Sequence, residues 1–210
     1  MKKQLLYCGI YSVLLYVGMN IWIPQLYEGY SITDQTVSEL SAIGTPTRML
    51  WVVWGVVYSV LAIAFAVGVL QSALGDRRIR LIGFFLLAYG IVSLFWPFAP
   101  MHQREALAQG YSSMSDTMHL TLASVTVVLM LFAIGFGTAR FGKQFRNYSI
   151  LTIVVLSVFG MLTAMDAPKV QANLATPNTG IWERINIGVF LAWQIALTFI
   201  LNKRINQDNE

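Results

Sequence analysis

His102 and His119 are the only histidines in this chain of 210 residues. His119 follows Asp116 by three positions, which puts both on one face of a helix. A carboxylate beside an imidazole selects one tautomer and leaves the far ring nitrogen as a base or metal ligand. Asp116 and His119 are therefore the candidate catalytic pair, with His119 as base or zinc ligand and Asp116 as its orienting partner. The plainer reading is that Asp116 caps the helix and His119 hydrogen-bonds a neighbour. His102 lies just past Pro100. If that loop folds back, two histidines and an acid make a workable zinc set, although their separation matches no standard metal motif. Glu183 and Arg184 open an apolar run. An acid suits the positive end of a helix and a base does not. Arg184 is thus expected to pair with a carboxylate on another segment, or to clamp a phosphate or carboxylate. No serine sits in a G-x-S-x-G elbow, and the chain has no P-loop or Gly-rich dinucleotide turn.

The elements that must position these residues follow from composition. Hydrophobic residues make up 56% of the chain and charged residues 11%, against about 25% charged in an ordinary soluble domain. Six stretches lack Asp, Glu, Lys and Arg: 4–27, 49–75, 81–103, 117–139, 147–165 and 185–202. A membrane-spanning helix needs about 20 mainly apolar residues. Within lipid the backbone must satisfy its own hydrogen bonds, so runs of this kind are helical. The expected fold is all-α, one domain over residues 1–210 built as a bundle of six transmembrane helices. Lys2 and Lys3 precede an apolar run too long for a secretion signal, so that run reads as an uncleaved first span. The lone Cys8 cannot form an internal disulfide.

Charge orients the bundle. With the N-terminus inside, segments 1–3, 75–80, 139–149 and 203–210 carry ten of the fourteen bases and three acids, Asp76, Asp208 and Glu210. The opposite segments carry Arg48, Arg104, Lys169 and Arg184 with seven acids: Glu28, Asp34, Glu39, Glu105, Asp116, Asp166 and Glu183. This bias predicts both termini in the cytoplasm and a cytoplasmic (inner) membrane location. The basic clusters then face lipid headgroups, and a nucleic-acid partner is not expected. Five tryptophans, Trp22, Trp51, Trp54, Trp96 and Trp182, fall near the outer ends as an aromatic belt would. Outer segment 25–48 is expected to hold a short amphipathic helix. Ser31 with Asp34, or Thr36 with Glu39, would cap it. Val37, Leu40 and Ile43 would share one face, with Asp34, Ser38 and Ser41 on the other. The last three helices are expected near Ser115–Ala139, Ile150–Met165 and from Ile181 to just before Lys203, with 166–180 an irregular loop.

Several motifs carry a resemblance. Q-T-V-S-E-L-S-A-I-G at 35–44, P-M-H-Q-R at 100–104, S-D-T-M-H at 115–119, F-R-N-Y-S at 145–149 and G-I-W-E-R-I-N-I-G at 180–188 resemble the family called domain of unknown function 998. Its members are small prokaryotic polytopic membrane proteins. The resemblance supports six helices and implies positions of interest at His102, Arg104, Asp116, His119, Glu183 and Arg184. It implies no reaction.

The site expected from these residues is a polar pocket at the outer mouth of the bundle. Asp116 and His119 form its floor, and Ser38, Glu39, His102, Arg104, Glu183 and Arg184 provide ligand contacts. Such a pocket would bind a small polar ligand, a lipid headgroup or a metal ion. The alternatives are an intramembrane hydrolase using His119 and Asp116, with or without zinc, and a structural or accessory membrane subunit.

Overall fold

The computed structural model describes residues 2–207 and is all-helical among them. Asp208 and Glu210, counted above among the acids of the basic face, lie outside the described residues. Six helices are long and apolar enough to cross a membrane: α1 (Lys2–Trp22), α2 (Arg48–Gln71), α3 (Arg77–Ser93), α5 (Met114–Thr138), α6 (Gly142–Gln171) and α7 (Thr179–Gln207). The chain is a multi-pass membrane protein. A one-turn helix, α4 (Arg104–Ala108), lies in the segment between α3 and α5.

The spans form a ring in chain order, with α1 packed on α2, α2 on α3, α3 on α5, α5 on α6, α6 on α7 and α7 back on α1. Packing inside a bilayer gains little from the hydrophobic effect, so close approach and interhelical hydrogen bonds hold helices together. The seams show both. At Gly68 of α2 an added Cβ would lie 2.9 Å from the Leu5 Cβ and the Leu6 backbone nitrogen, so α1 and α2 meet at backbone distance. Tyr58 and Tyr89 share a 2.9 Å hydrogen bond between α2 and α3. Gln194 Nε2 donates to Gly9 O at 2.8 Å and to Ser12 Oγ at 2.9 Å, closing the ring between α7 and α1. Asn186 Nδ2 reaches Leu156 O, and Trp193 Nε1 reaches Ser149 Oγ, between α7 and α6. Phe85 of α3 stacks between Phe132 and Phe136 of α5. The α5–α6 seam differs. Among the described residues no side-chain hydrogen bond crosses it.

Local chemistry explains most helix ends. Pro24 closes α1 in a single 3-10 turn. The Asp76 side chain accepts from the Arg78 and Ile79 N–H groups and starts α3. The Ser113 hydroxyl and the Asp116 carboxylate form a reciprocal cap on α5. At the basic end Asp76 also pairs with Arg140 and lies 3.8 Å from Arg204 Nη1. Burial alone would raise the Asp76 carboxyl, but Arg140 and the two N–H donors hold it below its ordinary value.

Three expectations are corrected. The amphipathic helix in 25–48 is a 3-10 turn, Val37–Ser41, held by the Thr36–Glu39 capping box, while Ser31 and Asp34 close only a turn. Val37 and Leu40 are buried as expected, but Ile43 is exposed. Helix α6 begins well before Ile150 and continues past Asp166 and Pro168. Its basic first turns pack Phe145 against Trp193. Its last turns are held by Asp166, which accepts from Thr179 and from Lys169 Nζ. Helix α7 correspondingly begins at Thr179 and runs through Lys203 to Gln207.

Two expected outcomes follow for stability. Gly68→Ala forces α1 and α2 apart and lowers the thermal midpoint in detergent, by about 1–3 kcal/mol of stability. Gly135→Ala on α5, with open space around it, has no such cost. Because the folded carboxyl of Asp76 titrates below its unfolded value, its stabilisation is present above the ordinary carboxylate range. It is lost as the pH falls through the folded pKa. Asp76→Asn therefore loses stability at neutral pH and matches the parent in acid.

Candidate functional site

At the end of the ring away from Asp76, the three segments that join the helices fold into one cap. Its keystone is Arg104, the first residue of α4. The guanidinium grips Glu39 with two parallel bonds, Nε to Oε1 at 2.6 Å and Nη2 to Oε2 at 2.8 Å. It also donates to Thr176 Oγ1 at 2.7 Å and Asp34 O at 3.0 Å. Residues from all three segments thus meet on one side chain. Glu39 is 3% exposed and Arg104 8%. Glu39 accepts further bonds from the Thr36 N–H and hydroxyl. Burial works against the guanidinium's charge, but the Glu39 bonds more than offset it, and its pKa is raised. Ile43 N–H to Met101 O and Gln103 Nε2 to Ile43 O, both 2.9 Å, stitch the same segments.

Arg184, on the first turns of α7, is the second tie. Sequence reasoning expects a carboxylate partner, and this is corrected. Arg184 Nη1 donates to the carbonyls of Ile32, Gln35 and Gly180, while Nη2 donates to Tyr30 Oη at 2.8 Å. Main-chain oxygens take the carboxylate's place because the 30–36 segment passes directly over the start of α7. A Cβ at Gly180 would collide with Gln35 O and Ile32 O. Burial pushes the Tyr30 phenol above its ordinary value, so it serves as a neutral partner.

Asp116 and His119 share a face of α5 but do not pair. Asp116 accepts from the backbone N–H and Nδ1 of His102, both at 2.8 Å, and from the Ser113 N–H and hydroxyl. His119 Nδ1 lies 2.8 Å from Ala99 O, with the Trp96 ring at its edge. A carbonyl only accepts, so Nδ1 of His119 carries the proton and Nε2 is left as the acceptor. The expected dyad therefore becomes two separate pairs. The first turn of α5 aims Asp116 back at the cap, and the 96–99 turn supplies His119 with a main-chain oxygen.

Beneath the cap is a cavity of about 870 Å³. All six spans contribute to its wall. Of the expected site residues, Ser38, Asp116, His119 and Glu183 line it. Glu183 takes the Val37 N–H on Oε2 and has no ion-pair partner among the described residues. His102, Arg104, Glu39 and Arg184 do not line the cavity, and the hydrogen bonds they make lie within the cap. Among the described residues no three of His, Cys, Asp and Glu converge as a metal ion would require. The two histidines do come close to the same helix start, but Asp116 is already engaged by His102.

The cavity also reaches the outside of the ring. Leu120, Ser124 and Val128 of α5 and Ser157, Met161 and Ala164 of α6 line it and are at the same time exposed. They form two facing ridges along the seam that lacks hydrogen bonds. The lining runs from Asp116 to Leu131 on α5 and from Leu156 to Gln171 on α6. At 1.5 Å per residue each wall is about 22 Å long. Sequence reasoning missed this opening. Its trace is the run of small residues at Ala123, Ser124, Ser157, Gly160 and Ala164. Tyr58 and Tyr89, bonded to each other across α2 and α3, also line the cavity.

Cutting the keystone gives a clear expectation. Arg104→Ala leaves the buried Glu39 unpaired, which costs about 3–5 kcal/mol. Arg104→Lys recovers only part, because an ammonium cannot make the two-pronged contact. Unfolding midpoints of the two variants, measured side by side, check the order.

Comparison with curated proteins finds no match, and comparison with solved structures finds none. The family model described as "Protein of unknown function (DUF998)" matches residues 9–200, which takes in the whole cap and most of every membrane helix. The chain belongs to that family.

Proposed function

We propose that this protein binds a membrane amphiphile, seating a polar headgroup under the cap while the apolar chain lies in the seam between α5 and α6. The observation that carries this reading is the cavity's shape. It is closed above by a hydrogen-bonded cap, walled by six helices and open sideways where lipid would stand. Its volume is that of a small-molecule site, about 300–1,000 Å³. Its length of about 22 Å exceeds half of the roughly 30 Å hydrocarbon core, so one lipid chain fits along it. Water-soluble ligands have no need of a side opening, and lipids have no other route to a capped site. The charge bias supports placing the cap outside and both termini in the cytoplasm of a cell with an inner membrane.

A hydrolytic role for His119 keeps one support, the free Nε2 on a residue that lines the cavity. The orienting carboxylate it would need is bound to His102 instead. A zinc-dependent version finds no ligand set among the described residues. If the cap only ties helices together, the protein is an accessory subunit and the cavity holds nothing specific.

Native mass spectrometry of the protein released from lipid nanodiscs separates these readings. The parent is expected to retain one lipid-sized adduct. Ala164→Phe, which fills the seam, is expected to lose it. Val154→Phe, exposed on α6 away from the cavity, is expected to keep it. Equal retention by all three proteins would rule out the seam as the binding route.

A further inference from the structure

Building on that reading, we infer that the amphiphile carries a basic amine, held by Glu183, and not an anionic phosphate or carboxylate. The inference comes from which charges face the cavity and which are withheld from it. The cap side of the bundle has four bases, and none lines the cavity. Arg104 is spent on Glu39, Thr176 and Asp34 O. Arg184 is spent on three carbonyls and Tyr30. Lys169 Nζ is bound to Asp166 Oδ1 at 2.7 Å. Arg48 stands at the start of α2, outside the lining.

Tyrosines apart, the titratable side chains that remain on the wall are acceptors. Asp116 and Glu183 are carboxylates, and His119 presents Nε2 because its Nδ1 proton is given to Ala99 O. Asn186 gives one of its amide N–H groups to Leu156 O. Of the two carboxylates, Asp116 already takes four donors from His102 and Ser113. Glu183 takes the Val37 N–H and stands beside Ser38. No lysine or arginine lines the cavity, so an anionic headgroup would meet like charge without a cation to bind, in a site partly removed from water. A neutral alcohol would leave the carboxylate uncompensated. An alkylammonium supplies both the charge and the N–H donors that the Glu183 carboxylate can accept. The chain attached to it leaves along the ridges at Leu120, Val128 and Met161.

The test uses the full-length protein in phosphatidylcholine nanodiscs with three C16 probes that differ only in headgroup: amine, alcohol and carboxylic acid. Each carries bromines at mid-chain, where they quench indole fluorescence from Trp51 and Trp96 in the cavity wall. The amine is expected to quench at about tenfold lower mole fraction than the alcohol, the gain of one charge-assisted bond over a neutral one. The acid is expected to be weakest. Glu183→Gln should raise the mole fraction of amine needed for quenching to about that of the alcohol. If alcohol and amine quench alike in the parent, the headgroup assignment is wrong while the amphiphile site stands. If the acid quenches best, the assignment is likewise wrong. If no probe quenches more in the parent than in Ala164→Phe, the amphiphile reading falls with it. The comparison of probes on the parent protein holds even if Glu183→Gln does not fold.

Discussion

A guanidinium buried against a carboxylate is stable only if nearly every donor and acceptor is met. Arg104 with Glu39 meets that demand by drawing in three chain segments at once. The consequence is architectural. Short connections between membrane helices would ordinarily lie loose at the surface. Here the pair fixes the 3-10 turn Val37–Ser41 above the bundle. That turn places the Val37 N–H on Glu183 and Ser38 on the cavity wall. The roof of the cavity is therefore built from the same bonds that neutralise the cap's charges.

The rest of the bundle has a different logic. Among the described residues, hydrogen bonds or aromatic contacts cross every seam except α5–α6. The gap is a property of residue choice. Small and aliphatic side chains occupy both ridges there, where the other seams carry Tyr, Gln, Asn or Phe. The same choice explains the partition of charge. On the cap side Arg104, Arg184 and Lys169 are engaged by oxygens of the protein itself, and none of the four bases there lines the cavity.

Six spans were legible in the sequence because a bilayer demands charge-free runs of this length, whereas a helix at a water-facing surface carries a polar stripe. Helix ends were less so. The start of α6 hides behind basic residues that read as a loop, and its end is carried past Pro168 by Asp166 and Thr179, which meet only in three dimensions. The candidate residues were recognisable as polar groups next to apolar runs, and all of them do gather at one end. Their partners were not recognisable. Helical spacing put Asp116 with His119, but tertiary contacts gave Asp116 to His102 and His119 to a carbonyl. Charge balance gave Arg184 a carboxylate, and backbone oxygens took its place. Periodicity reports which face a residue occupies and is silent on main-chain groups folded over it from elsewhere. The cavity was illegible for the same reason, since a void between helices leaves only a faint excess of small residues.

The central claim is that the bundle opens to the bilayer between α5 and α6 and is occupied from there. A high-resolution cryo-electron microscopy map of the protein in lipid nanodiscs tests it most directly. The account predicts one continuous rod of non-protein density, running from the bilayer through the ridges at Leu120 and Met161 and ending beside Glu183. A map in which α5 and α6 close on each other, with the cavity holding only separate water peaks, would contradict it.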